Sequence, residues 1–216
     1  MAPWLGAHYG AVLGLILISL VFQLAAPEVD WARLVAIALQ GVTLILALRV
    51  SKVHRIVLRA ATAVVVIAVA SSAAALIGFG VLGSTAARIV TLLLLVLAPA
   101  AIARGVMVDA RTQGVTVHAM FGVLCIYLLL GSVFAFLYGV VADLGTASSF
   151  FQQHAAPSNR NLLYFSFVTI TTVGYGDLVA ASDVGRSLAI AEALVGQIYL
   201  VTVVAAIVGG LRRPAA

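Results

Sequence analysis

The stretch Asn159-Arg160-Asn161-Leu162-Leu163-Tyr164-Phe165-Ser166-Phe167-Val168-Thr169-Ile170-Thr171-Thr172-Val173-Gly174-Tyr175-Gly176-Asp177 holds most of the chemistry this sequence offers. Within it, two glycines alternate with Val173 and Tyr175. A row of backbone carbonyls facing one way requires alternating backbone handedness, and glycine supplies that without steric cost. Such carbonyls can replace the hydration shell of a dehydrated cation. Thr172 adds a hydroxyl at the inner end of the row. Upstream, Ser158 or Asn159 can cap a short helix that runs to about Thr171. The carboxyl end of that helix would favour a cation in the space beyond it.

The rest of the chain must hold this segment in place, and its composition says in what solvent. Of 216 residues, 64% are apolar and 9% are charged, and the mean hydropathy is +1.21. A soluble domain averages roughly 45–50% apolar and about 25% charged. No fold of this size hides so much apolar surface from water, so the expected solvent is lipid. Soluble enzymes, disordered tails and disulfide scaffolds are excluded at this step. Cys125 has no intramolecular partner and reads as a small buried apolar residue.

Hydropathy divides the chain into blocks at about 10–26, 32–50, 57–80, 85–104, 116–142 and 185–211, with a shorter one at 159–172. A span needs about 20 residues at 1.5 Å rise to cross roughly 30 Å of hydrocarbon. The expected fold is therefore an all-α membrane protein: six transmembrane helices plus a re-entrant helix and loop. Irregular backbone at that depth is tolerated only where it is buried or lines a watery cavity. The weakest boundary is the uncharged stretch 78–83. Arg49, Lys52, Arg55, Arg59, Arg104, Arg111, Arg212 and Arg213 would all fall on one side of alternating spans. The positive-inside rule makes that side, and both termini, cytoplasmic, with 143–184 facing out of the cell membrane. The net charge of +5 then reports orientation, and no nucleic-acid partner is expected. No cytoplasmic regulatory domain is expected.

Thr-Thr-Val-Gly-Tyr-Gly-Asp at 171–177 resembles the signature filter of potassium channels, and the surrounding segment resembles the prokaryotic pore-loop family. Gly185-Arg186 is similar to the start of that family's inner helix, and Gly196 lies where its gating hinge lies. The resemblance covers roughly 116–211. It implies a pore domain at 113–216 (outer helix, pore helix, filter, inner helix) beside a four-helix membrane domain at 1–112. It also implies a homotetramer, since one chain supplies one of four loops. Potassium ions would bind at Thr172, Val173, Gly174 and Tyr175, with Gly176 completing the filter and no cofactor required. Asp177, Thr171, Val168, Tyr164 and Phe165 would support the filter, the last two standing in for the aromatic pair around Tyr175. Gln197 and Val201 would face the cavity, with Leu200 and Val204 as further candidates.

The departures from the family pattern also carry expectations. Val168 occupies a position where some relatives carry a Glu that pairs with the Asp after the filter, so that pairing is unavailable. Ala180 replaces a common proline, which leaves the outer mouth less rigidly specified.

Glu192 is an acid inside span six. Intramembrane carboxylates default to function: it could accept hydrogen bonds behind the filter, bond Arg186 or pore-helix hydroxyls, or titrate and gate. Arg49, Lys52 and Arg55 recur every third residue, as in a voltage-sensing helix. They lie between spans two and three, whereas the family's sensor is the fourth span, so they read as topogenic and lipid-contacting. The architecture resembles the voltage-gated type without a sensor arginine ladder. His8, His54, His118 and His154 have no ligand spacing.

The reading is a potassium-selective channel subunit and no enzyme, since no nucleophile–base or metal constellation is visible. The rivals are a nonselective cation channel, which usually loses the Tyr kept here at 175, and a potassium transporter subunit, which usually carries several degenerate loops.

Overall fold

A computed structural model of the chain describes residues 9–27, 29–51, 53–76, 84–113, 116–145 and 150–211. Each hydropathy block carries a helix: α1 (Tyr9–Ala25), α2 (Asp30–Val50), α3 (Arg55–Leu76), α4 (Ser84–Gln113), α5 (Val117–Leu144), α6 (Asn159–Ile170) and α7 (Asp183–Tyr199). α7 continues through a π-helical turn, Leu200–Val204, into α8 (Ala205–Leu211). No strand occurs among the described residues. Lys52, the stretch 78–83, His8 and Arg212-Arg213 lie outside them.

Two helical stretches among the described residues are long and apolar enough to cross a membrane: Val117–Leu144, and Asp183–Gly210 taken through the π turn. Tyr9–Ala25 and Leu34–Val50 are apolar but shorter. α4 outruns its apolar block by about two turns, because Arg104, Asp109 and Arg111 extend the helix without needing lipid.

Helix starts follow local chemistry. Thr116, Ser158 and Ser182 each accept a hydrogen bond from the backbone N–H three residues on, capping α5, α6 and α7. Such a cap is worth about 1 kcal/mol. One buried cluster runs from Tyr9, Val12 and Ile16 on α1 through Leu48 on α2 and Ile102 on α4 to Val123 and Leu129 on α5, and reaches Leu163 on α6. The N-terminal helices and α5 thus share a core.

That core forms by close approach. A Cβ on Gly122 would lie 2.4 Å from Val106 Cγ2, so only glycine lets α5 meet α4 there. Cys125 is fully buried and its thiol faces the Tyr9 carbonyl at 3.6 Å. At the opposite end of the bundle, Arg160 at the start of α6 donates to the carbonyl of Ala26, past the end of α1. That contact ties the α1–α2 connection to the same level as the start of α6. Arg49, Arg55 and Arg59 are exposed around the α2–α3 junction.

Candidate functional site

α6 is a twelve-residue helix whose carboxyl end hands over directly to the glycine segment. Thr171 ends it, its hydroxyl donating to the Phe167 carbonyl at 2.5 Å. The next N–H, on Thr172, donates to Thr169 O at 2.9 Å. The chain then turns away: the N–H groups of Val173 and Gly174 both donate to the carbonyl of Val168, at 3.0 and 3.2 Å. Val168, which cannot pair with Asp177 through its side chain, instead anchors the segment through its backbone.

Beyond that anchor, every second residue is left-handed: Thr172 at φ 59°, Gly174 at 58° and Gly176 at 78°. The two glycines adopt this conformation freely. Thr172 is β-branched, and such a conformation costs it about 1–3 kcal/mol, tolerated only where the surroundings impose it. Sequence reasoning assigned the alternation to glycine and missed that Thr172 shares it. Val173 and Tyr175 are 52% and 71% exposed, and a Cβ on Gly174 or Gly176 would meet nothing within 4 Å. The side chains of this segment are thus exposed, while its backbone is tied to the end of α6.

The outer end is fastened more firmly than the sequence predicts. Gln152 N–H donates to Val179 O and Ala181 N–H to Phe150 O, both at 2.9 Å, making an antiparallel bridge between Phe151 and Ala180. Val179 N–H donates to Gln153 Oε1 and Arg186 Nε to the Ala180 carbonyl. Ala180 is buried, and Gly185 approaches it so closely that a Cβ would sit 2.9 Å from the Ala180 Cβ. Backbone bonding therefore supplies the order that a proline would have given, which corrects the expectation of a loosely specified mouth.

The two aromatic supports separate. Tyr164 lies beside Asp177, and the interaction with that carboxylate, followed by burial and the charges of Asp177 and Tyr175, pushes its phenol above the usual tyrosine range. Phe165 instead turns away from the glycine segment into an aromatic cluster, with ring centroids 5.0 Å from Tyr138, 5.6 Å from Phe151 and 6.2 Å from Phe150. It holds α6 against the chain that precedes it and does not flank Tyr175 within the same chain.

Glu192 is fully buried behind α6. Its Oε2 accepts from the Tyr138 hydroxyl at 2.5 Å, and its Oε1 lies 2.5 Å from the Ser166 hydroxyl. Of the partners the sequence offered, a hydroxyl on α6 is present, that of Ser166. Arg186 is engaged with Ala180 O and, at 4.0 Å, with Asp183. Glu192 therefore lies enclosed between helices of its own chain.

Gly196, one turn on, lies where α7 crosses the end of α6: a Cβ there would stand 2.6 Å from both Cγ1 and O of Ile170. The helix runs unbroken through Gly196, and its hydrogen-bond register changes only at Leu200–Val204. Glycine at 196 thus serves a close crossing. Gln197, Leu200 and Val201 are exposed, with Val201 at 62%.

Sequence reasoning missed Tyr127, Tyr138, Ser166 and Tyr199. Tyr127 donates to Ile170 O at 3.1 Å and stacks on Tyr199 with centroids 6.0 Å apart. Tyr199 donates to Val123 O at 2.8 Å. The signal was available, because Tyr127 and Tyr138 lie about three helical turns apart on one face of an apolar helix. A buried tyrosine hydroxyl needs a partner. No group of three His, Cys, Asp or Glu that could hold a metal occurs among the described residues.

Residues 122–212, under half of the chain, match the family model described as "Ion channel". A stretch of 70 residues is 43% identical to the two pore potassium channel b of rice, Oryza sativa subsp. japonica. That stretch is 32% of this chain and 18% of the rice protein, so the likeness concerns a small part of the relative. No solved structure matches the chain.

Proposed function

We propose that the chain is one subunit of a homotetrameric, potassium-selective channel in the cell membrane, with four copies of Thr172–Gly176 lining the conduction path. The observation that carries this reading is the left-handed alternation at Thr172, Gly174 and Gly176 at the carboxyl end of α6. That alternation suits a line of carbonyls able to take the place of a cation's water, and the α6 dipole adds to the attraction. The likeness of residues 122–212 to ion channels supports the same conclusion. The rice relative, described as a potassium channel, supports potassium as the ion.

Under this reading α1 to α5 and α7 to α8 supply six spans, and α6 is re-entrant. Residues 1–112 form a membrane domain packed beside a pore domain at 113–216, and both termini are cytoplasmic. Asp177 and Tyr164 brace the outer mouth. Gln197, Leu200 and Val201 line the inner cavity. Flux is passive, each ion displacing the next between adjacent carbonyl sites.

Reversal potential in reconstituted bilayers tests the reading. Under a potassium gradient with sodium opposite, the potential should follow potassium. A potential that responds equally to sodium would identify a nonselective cation channel. Transport that requires a coupled ion would identify a transporter subunit.

A further inference from the structure

Behind α6, three helices meet at a group of oxygens that only one arrangement of protons can satisfy. Ser166 Oγ lies 2.6 Å from the Gly131 carbonyl oxygen on α5 and 2.5 Å from Glu192 Oε1 on α7. Tyr138 on α5 donates to Glu192 Oε2 at 2.5 Å. Ser166 and Glu192 are both fully buried within a single subunit, so neither water nor a neighbouring copy reaches them.

A hydroxyl carries one proton and a carbonyl oxygen carries none. If Ser166 gave its proton to an ionised Glu192, Ser166 Oγ and Gly131 O would face each other as two bare acceptors at 2.6 Å. If Ser166 gave its proton to Gly131, Oγ and an ionised Oε1 would face each other in the same way at 2.5 Å. All three contacts become hydrogen bonds when Glu192 is a neutral carboxylic acid: Tyr138 donates to Glu192, Glu192 to Ser166, and Ser166 to Gly131.

The charges nearby agree. The titratable groups that face Glu192 are Tyr138 and Tyr127, both on α5 and neither cationic. No arginine, lysine or histidine among the described residues pairs with it. A buried carboxylate with no cation is costly, and such a group neutralises instead.

We propose that Glu192 is held neutral at physiological pH and is a positioning residue for the filter. Its proton completes a directional chain, Tyr138 to Glu192 to Ser166 to Gly131, that pins α6 between α5 and α7. Ser166 lies two residues before Val168, whose carbonyl anchors Val173 and Gly174. Ionising Glu192 removes one donor from the chain, loosens Ser166 and so frees the anchor. The functional consequence rests on the channel reading above, whereas the proton does not.

Two measurements separate the two claims. Glu28 and Glu192 are the glutamates of this sequence. In full-length protein reconstituted in vesicles and labelled with 13C at the glutamate side-chain carboxyl, solid-state NMR therefore shows two carboxyl signals. At pH 7 one should stand at the protonated position and should persist in Glu28→Gln. Two ionised signals would overturn the inference, whatever the protein conducts.

Potassium current in the same preparation tests the positioning role. Glu192→Gln, whose amide can donate to Ser166 and accept from Tyr138, should conduct within about threefold of the native protein. Glu192→Leu and Ser166→Ala should lose about tenfold or more. Native current should fall on the alkaline side of neutrality, and the Gln variant should not follow it. Loss in Glu192→Gln equal to that in Glu192→Leu would overturn the positioning role. A native protein with no potassium current would count against the channel reading and leave the NMR result to decide the proton.

Discussion

α5 and the α7 stretch are near twins in sequence terms and opposites in structure. Each is a 28-residue helical stretch, with mean hydropathy of 2.4 for Val117–Leu144 and 2.0 for Asp183–Gly210 over the most apolar window. Yet 56% of that window is buried in α5 and only 6% in the second stretch. α5 is wrapped by α1, α4 and α6 of its own chain, through Val123, Ile126 and Leu129. α7 is buried against its own chain at Gly185, Glu192 and Gly196.

Hydropathy alone does not distinguish a helix that meets lipid or kin from one that sits in its own core. The glycine segment shares the bareness of α7, with Val173 and Tyr175 exposed and a left-handed Thr172 held within the chain only by backbone bonds to Thr169 and Val168. Backbone strain persists only where something over-determines it. Those bonds hold the backbone, and on the proposed reading three further copies cover the exposed side chains.

Substitutions on the two sides of this contrast should fail in different ways. The largest effect is expected at Gly174. Alanine there would have to hold φ 58°, at about 1–2 kcal/mol per copy in each of four copies. Potassium current should fall by more than about 100-fold, while thermal unfolding of the solubilised protein stays near native.

Next comes a matched pair of truncations. Leu129→Ala, in the buried core of α5, should lower the unfolding free energy by about 2–5 kcal/mol. Ile198→Ala, at an exposed position of α7, should change subunit unfolding by about 0.5 kcal/mol or less and should weaken subunit association instead. Chemical denaturation and cross-linking separate the two outcomes. Equal unfolding losses would erase the contrast between the helices.

The paired glycines sharpen it further. Gly122→Ala and Gly196→Ala each overpack a crossing, at about 1–3 kcal/mol. The first should reduce subunit stability through Val106. The second should act through Ile170 at the end of α6, altering conduction before stability. If Gly196→Ala left current native while a substitution within Leu200–Val204 altered it, bending would belong to the π turn. The smallest effect is expected from neutralising Arg49, Lys52 and Arg55 together: the slope of conductance against voltage should not change. A steep slope that vanished in the triple variant would make that run a sensor.

The sequence made the local features readable. Apolar blocks gave the helices other than α4 to within a few residues, since there the helix follows the run of apolar side chains, and Ser158 caps α6 as its type and place predict; α4 runs about two turns past its block on Arg104, Asp109 and Arg111. The left-handed glycines were readable for the same reason, being a property of one residue at a time. Thr172 was not, because a β-branched residue is forced left-handed only by the bonds around it, here those converging on Val168 O. Phe165 and Tyr164 are neighbours in sequence, and their split between the aromatic cluster and Asp177 depends on how α6 is rotated about its axis. The partners of Glu192 depend on three helices at once. Ala180 misled because a missing proline was visible, and the bridge to Phe151 that replaces it was not.

The number of copies tests the central claim most directly. Native mass spectrometry of the detergent-solubilised protein should give four subunits per particle, with α7 and the glycine segment protected from labelling in the assembly. A particle of one or two subunits, with Val173, Tyr175 and α7 still open to labelling, would contradict it.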